Sequence, residues 1–195
     1  MLCLGLDGAG KTSVLQRAAE NGAFEPVDPT NGFNVKALNV PPDWKIDVWD
    51  IGGAERRPAR SSAESVASPR PTPAGAAAVR PYWDRYVTFD TRALIWVLDG
   101  SDRGRLEETS AALRAVLEGE IKLRGTPLLV LLNKSDVGGG ISVEEARDAL
   151  GLPGPGADHN MTARRHHVQA CSAATGQGIP DGLRWLSETL TATFR

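Results

Sequence analysis

Apolar residues along this chain fall into distinct textures. Nearly unbroken apolar runs at Met1–Leu4, residues 92–99 and Pro127–Leu132 have the length and pattern of strands buried on both faces. Between them apolar positions recur at helical spacing. Val14, Leu15 and Ala18 predict a helix over 11–20; Leu106, Leu113, Val116 and Leu117 predict one over 105–119. Leu183, Leu186, Leu190 and Phe194 give the last helix its apolar side, from Ile179 onward. Ser142-Val143-Glu144-Glu145 is a capping box that opens a helix running to about Leu150. A short helix is expected over 81–87. Strict alternation marks a third texture, with Trp44, Ile46 and Val48 on one face and Lys45, Asp47 and Trp49 on the other. This strand pairs with 33–40 across a Pro41-Pro42-Asp43 turn, and 165–170 is the final strand. Strands alternating with helices predict a three-layer α/β sheet with its ligand at the carboxyl ends of the strands.

Residues 57–79 break the pattern. They are rich in Ala, Ser, Pro and Arg and contain no aromatic residue, Leu or Ile, so disorder is expected there. Residues 151–161 form a Pro/Gly-rich loop. The remainder fits one domain over 1–195: 195 residues, 41% apolar and 24% charged. A net charge of -2 argues against a nucleic-acid partner. No apolar run approaches the ~18 residues of a membrane span. Cys3 and Cys171 suit reduced thiols in a cytoplasmic protein. His166 and His167, adjacent in a strand, point to opposite faces and do not share a metal.

The chemistry concentrates in Gly5-Leu6-Asp7-Gly8-Ala9-Gly10-Lys11-Thr12, which fits G-x-x-x-x-G-K-[ST] between a strand and a helix. Loop N–H groups and the helix N-terminus bind phosphate oxygens. Lys11 neutralises the β and γ phosphates, and the Thr12 hydroxyl ligates Mg²⁺. Asp50-Ile51-Gly52-Gly53 is a D-x-x-G: the carboxylate holds Mg²⁺ through water and the Gly53 N–H bonds the γ phosphate. Asn133-Lys134-Ser135-Asp136 is an N-K-x-D. Asp136 accepts from N1–H and the 2-amino group of guanine, a pair that adenine lacks. Ser172 and Ala173 follow another strand, with backbone N–H groups in reach of the guanine carbonyl. Alone, the D-x-x-G is a weak signal and the N-K-x-D a moderate one. Their order along the chain, with Thr30 between the first two, is a strong signal.

With Pro29-Thr30-Asn31-Gly32-Phe33-Asn34-Val35, Trp49-Asp50-Ile51-Gly52-Gly53 and Arg80-Pro81-Tyr82-Trp83, the chain resembles the Arf and Arf-like branch of the Ras-type small GTPases. Leu94-Ile95-Trp96, Leu106-Glu107-Glu108-Thr109 and 171–176 are most similar to the Arf-like two and three members. The resemblance implies the P-loop NTPase (small G protein) fold, with a mostly parallel six-stranded sheet and one antiparallel hairpin strand. It implies GTP and GDP as ligands, and Mg²⁺ with Thr12 and Thr30 as protein ligands. Switch I lies around Thr30 and switch II after Gly53, and both are released on loss of the γ phosphate. In this family the hairpin between the switches shifts register. It also implies effectors, an exchange factor and an activating protein as partners, in trafficking of vesicles or lipidated cargo.

Three departures qualify this. Ala54 stands where the family has the Gln that orients the attacking water, with Glu55 the nearest substitute. Residues 57–79 are surplus to the family spacing, either an insertion in switch II or an unspliced segment. Leu2 at the second position gives no myristoylation glycine, so the expected place is cytoplasmic, with peripheral membrane contact unsupported by the sequence as written. The functional alternatives are a working switch, a catalytically silent Arf-like module that holds GTP, and, in another class, a P-loop kinase of small molecules. A methyl group at Ala54 cannot position water. Single-turnover hydrolysis of bound GTP is therefore expected below the ~10⁻⁴ s⁻¹ scale of unassisted small GTPases; a rate at or above that scale would refute this.

Overall fold

The computed structural model describes residues 1–19, 30, 33–40, 44–51, 83, 85–154 and 164–193. The elements in order are β1 (Leu2–Leu4), α1 (Lys11–Ala19), β2 (Phe33–Val40), β3 (Trp44–Ile51), β4 (Leu94–Asp99), α2 (Leu106–Gly119), β5 (Leu128–Asn133), α3 (Val143–Ala149), β6 (His166–Ala170) and α4 (Ile179–Thr193). The six strands form one sheet in the order β2-β3-β1-β4-β5-β6. β2 and β3 pair antiparallel, and β3, β1, β4, β5 and β6 run parallel. This is the expected three-layer α/β architecture with a single antiparallel hairpin strand.

The apolar runs become central strands because both of their faces are covered. β4 is buried from Leu94 through Leu98 and β5 from Leu128 through Asn133. Alternate residues of each strand feed two cores. Leu94, Trp96 and Leu98 join Leu128, Val130 and Leu132 beneath α2 and α3. Ile95, Val97, Leu129 and Leu131 pack beneath α1 and α4 with Val14, Leu15, Leu186 and Leu190. Trp96 is fully enclosed; its indole N–H donates to Thr109 Oγ1 at 3.1 Å, so the bulky ring leaves no polar group unmet. His167 stacks on Trp185 of α4 at 5.2 Å, whereas His166 Nε2 lies 3.0 Å from the Pro153 carbonyl oxygen. The two rings thus point to opposite sides of β6. Cys3 and Cys171 are free and buried, and burial pushes both thiol pKa values up, that of Cys171 to about 12.

Several boundaries move from the expected ones. The 92–99 strand begins at Leu94, and the helix expected from residue 105 begins at Leu106, after a 3₁₀ turn over Arg103–Arg105. The short helix expected over 81–87 is of the 3₁₀ kind where it is described: Trp83 and Arg85 lie in 3₁₀ geometry, and Tyr86 N–H donates to the Trp83 carbonyl at 3.1 Å. The tighter turn lets Trp83 meet Trp96 edge-on, with ring centroids 5.7 Å apart, and buries Val87 two residues after Arg85. The expectations for 57–79, the end of the loop at 155–161, and Phe194 lie outside the described residues. Among the described residues no helix is long and apolar enough to cross a membrane.

The capping box is formed in full. Ser142 Oγ accepts from the Glu145 N–H and Glu145 Oε2 from the Ser142 N–H. Arg103 adds a two-pronged bond to the Glu145 carboxylate at 2.8 and 3.0 Å, tying the turn before α2 to the start of α3. The hydrogen bond from Arg103, then that from Ser142, lowers the Glu145 pKa from 4.5 to about 2. A depressed carboxylate pKa stabilises the fold above the ordinary value, and that contribution is lost as pH falls through 4.5 toward about 2. In Arg103→Ala the Glu145 carboxyl, followed by NMR, is expected to titrate well above the wild-type midpoint; an unchanged midpoint would remove Arg103 as the cause.

Candidate functional site

The loop after β1 can form only because two of its residues lack a Cβ. At Gly5, φ is +149° and a Cβ would run into the Val97 carbonyl oxygen of β4. At Gly10, φ is +86° and a Cβ would strike the Asn133 side-chain amide. The loop therefore rests directly on the ends of β4 and β5. Lys11 opens α1 and bends back over the loop, its Nζ donating to the carbonyls of Gly5 at 3.0 Å and Leu6 at 2.9 Å. An ammonium has three donors, so one remains for a ligand. Burial lowers the Lys11 pKa, with the fields of Cys3, Asp50 and Asp7 acting in the opposite sense. An anion in the loop would relieve that desolvation.

Beside Lys11 three side chains from three segments converge. Thr12 Oγ1 donates to Asp50 Oδ2 at 2.5 Å and lies 2.7 Å from Thr30 Oγ1. Asp50 reaches this point because β3 pairs with β1 in a register that sets it beside Cys3, at the end of the sheet where the loop begins. Its carboxylate is fully buried, and among the described residues Oδ1 has no hydrogen-bond partner. A buried carboxylate oxygen without a partner is costly in isolation. Two hydroxyls and a carboxylate form a hard oxygen donor set, which suits Mg²⁺.

On the other side of the loop lies the Asn133 segment. Asn133 Nδ2 donates to the Ala9 carbonyl at 2.9 Å, and its Oδ1 accepts from the Ala173 N–H at 2.9 Å. One buried amide thus joins the loops after β1, β5 and β6. Ser135 N–H donates to the Cys171 carbonyl at 3.0 Å, which closes the same corner. Lys134 has φ +64° and pairs with Asp99 Oδ2 at 2.6 Å. Burial works against the Asp99 carboxylate, but bonds from Lys134 and Ser101 outweigh it and hold its pKa below the ordinary value. Asp136 is exposed, and Ser172 and Ala173 are buried.

The structure therefore gathers Gly5, Leu6, Asp7, Gly8, Ala9, Gly10, Lys11, Thr12, Thr30, Asp50, Asn133, Lys134, Asp136, Ser172 and Ala173 at the carboxyl end of the sheet. Gly53 and Ala54 lie outside the described residues. Sequence reasoning missed two things here. One is the bridging role of Asn133 and the pairing of Ala173 N–H with it. The other is Arg105, which binds Asp7 across 98 positions of chain; an acid inside a phosphate loop was the only signal that a cation had to be near.

The family model for the ADP-ribosylation factor family matches residues 1–62 and 74–190. The chain belongs to the ADP-ribosylation factor family. As a member it is a GTP-binding protein of the small-GTPase class. It is 36% identical over 191 residues to ADP-ribosylation factor-like protein 3 of Caenorhabditis elegans, covering 97% of this chain and 86% of that one. It is 35% identical over 187 residues to the protein of the same description in Chlamydomonas reinhardtii, covering 95% and 87%. Among solved structures, the Arl6 BBS3 small GTPase of Trypanosoma brucei with bound GppNp superimposes with a TM-score of 0.72, over 98% of this chain and 96% of that one. At 24% identity that likeness shows the fold alone. The family match omits 63–73, inside the stretch that the sequence marks as surplus to the family spacing.

Asn133 carries the corner of this Arf-family site. Asn133→Ala leaves the Ala9 carbonyl and the Ala173 N–H unmet in a buried place, and is expected to destabilise the fold by about 2–4 kcal/mol. Urea unfolding measures this, and a loss under about 0.5 kcal/mol would show that water replaces the amide without penalty.

Proposed function

We propose that this Arf-family protein is a guanine-nucleotide switch whose site is the gathered loop set described above. The observation that carries the reading is the meeting of Thr12, Thr30 and Asp50 beside Lys11, with one Asp50 oxygen unpartnered among the described residues. In this reading Gly5 through Thr12 cradle the β and γ phosphates, and Gly53 adds its N–H to the γ phosphate. Thr12 and Thr30 would hold Mg²⁺, with Asp50 acting through water. The ion would supply positive charge against the phosphate chain. Among the described residues Thr30 meets the Thr12 hydroxyl, and in this reading the γ phosphate and Mg²⁺ would hold it there, so that loss of the γ phosphate removes a tie on Thr30.

Asn133 fixes the base-side loops, Lys134 lines them, and Asp136 accepts from guanine. Ser172 and Ala173 complete the base pocket. Adenine offers Asp136 an acceptor where guanine offers a donor, so ATP leaves the carboxylate unpaired.

The same reading includes effector recruitment in the GTP state. Phe33 stacks on Trp49 at 5.4 Å, and Tyr86 tilts against both. Phe33, Val35 and Trp49 are exposed, an apolar surface on the hairpin between the two switches. Trp49 is the immediate neighbour of Asp50, so a change at the metal ligand is felt at the partner face one residue away. Trafficking of vesicles or lipidated cargo, in a cytoplasmic setting consistent with two buried free thiols, is the cellular role proposed. Ala54 favours a second reading, a catalytically silent binding module that holds GTP with little or no hydrolysis.

Calorimetry with Mg²⁺ tests the site. GTP and GDP are expected to bind, with ATP far weaker. Asp136→Ala is expected to lower GTP affinity about 100-fold, through loss of a charge-assisted pair of hydrogen bonds. Equal affinity for ATP and GTP in the wild-type chain would overturn the reading. The nucleotide that co-purifies separates its two forms: GDP marks a working cycle and GTP the silent module.

A further inference from the structure

Asp7 is out of keeping with its surroundings. Every other feature of its loop favours an anion: the Lys11 ammonium, the N-terminus of α1 and the N–H groups that the glycines leave accessible. A carboxylate in the same loop repels phosphate. It is answered by Arg105, in the 3₁₀ turn before α2. Arg105 donates through one terminal nitrogen to Asp7 Oδ1 at 2.7 Å and through the other to the Asp7 carbonyl at 3.1 Å. Its Nε donates to Glu108 Oε2 at 2.9 Å. All three guanidinium nitrogens are engaged, so the planar fork has one orientation. Both partners are half-buried, with side-chain exposures of 23% for Arg105 and 30% for Asp7. Salt and water therefore screen the pair incompletely.

The two contacts to Asp7 do different things. The bond to Oδ1 cancels charge. The bond to the main-chain carbonyl fixes a peptide plane within the loop, and with it the direction of the next N–H. A lysine has donors enough for both but no planar fork, so it would not hold the two acceptors in one fixed orientation.

We propose that Arg105 is a positioning residue for the nucleotide: it neutralises Asp7 and clamps its carbonyl, holding the outer arc of the phosphate loop in one conformation. The proposal rests on the loop being the phosphate site, as assigned above. Arg105 acts through Asp7 and does not touch the nucleotide. It couples α2 to the loop, so a partner that moves the start of α2 would loosen the phosphates.

The test measures Mg²⁺-dependent GDP and GTP affinity, and release of a fluorescent GDP, for the full chain and its variants. Arg105→Ala is expected to weaken both nucleotides about 10–100-fold, the scale of a charge-assisted hydrogen bond. The defect shrinks as salt rises from low to high, because an uncompensated Asp7 is the cause. Asp7→Asn combined with Arg105→Ala is expected to recover the part of the loss due to the stranded charge, leaving the defect of about 3–10-fold that belongs to the missing carbonyl clamp. Arg103→Ala removes the same charge from the same turn and is expected to change affinity less than about twofold.

Wild-type affinity in Arg105→Ala overturns the proposal. So does a defect that the Asp7→Asn change leaves untouched, which would make Arg105 an ordinary support of α2. A wild-type chain that binds no guanine nucleotide overturns the site assignment itself. Should Arg105→Ala fail to fold, Arg105→Lys decides. It keeps the charge and loses the fork, with release expected about 3–10-fold faster, and unchanged release would again refute the clamp.

Discussion

The two hydrogen bonds of Asn133 are the constraint on which the rest of the site depends. A phosphate loop after β1 and a base loop after β5 belong to strands separated by β4. Nothing in a parallel sheet brings their ends into one pocket beyond the general direction of the strands. The buried amide does so by donating to Ala9 and accepting from Ala173. Because Asn133 is enclosed, both bonds must be made, and an alternative packing of either loop strands a polar group. The steric side of the same contact is Gly10, where any side chain would collide with that amide. Close approach and polar satisfaction thus select one arrangement together.

Charge is handled by pairing throughout. Lys11, buried and pulled toward neutrality by desolvation, is held by two carbonyls and faces Asp50. Asp7 is met by Arg105, Asp99 by Lys134, and Glu145 by Arg103. These pairs join segments that lie far apart in the chain, in the loops, turns and helix starts that follow the strands. What they contribute is less bulk stability than a fixed geometry for loops that have no hydrophobic core of their own. The stability resides below, in the two layers of Leu, Ile, Val and Trp on either face of β4 and β5.

The hairpin shows how such a site can speak to a surface. In β3 successive side chains point to opposite faces, so Asp50 enters the pocket while Trp49 faces outward against Phe33 and Tyr86. A one-residue change of register would exchange these two environments. One strand register thus sets both the buried Asp50 and the exposed Trp49.

Much of this was legible in the chain. The periodicity of Leu183, Leu186 and Leu190, the apolar runs of β4 and β5, and the Ser142–Glu145 box are local signals, each written within one element. Local pattern fixed the elements, their order and the α/β class, because side-chain period reports which face is buried. The strings from Gly5 to Thr12 and from Asn133 to Asp136 are legible for the same reason: each is contiguous. Local pattern could not place Trp83 in a tighter turn, since that conformation answers to Trp96 across the core. Nor could it find that Asn133 serves Ala9 and Ala173, or that Arg105 serves Asp7. Those contacts join residues with no shared period, and only the packing of one strand against the next brings them within hydrogen-bond reach. The chain by itself determined what the loops can bind; tertiary structure decided which side chains hold those loops still.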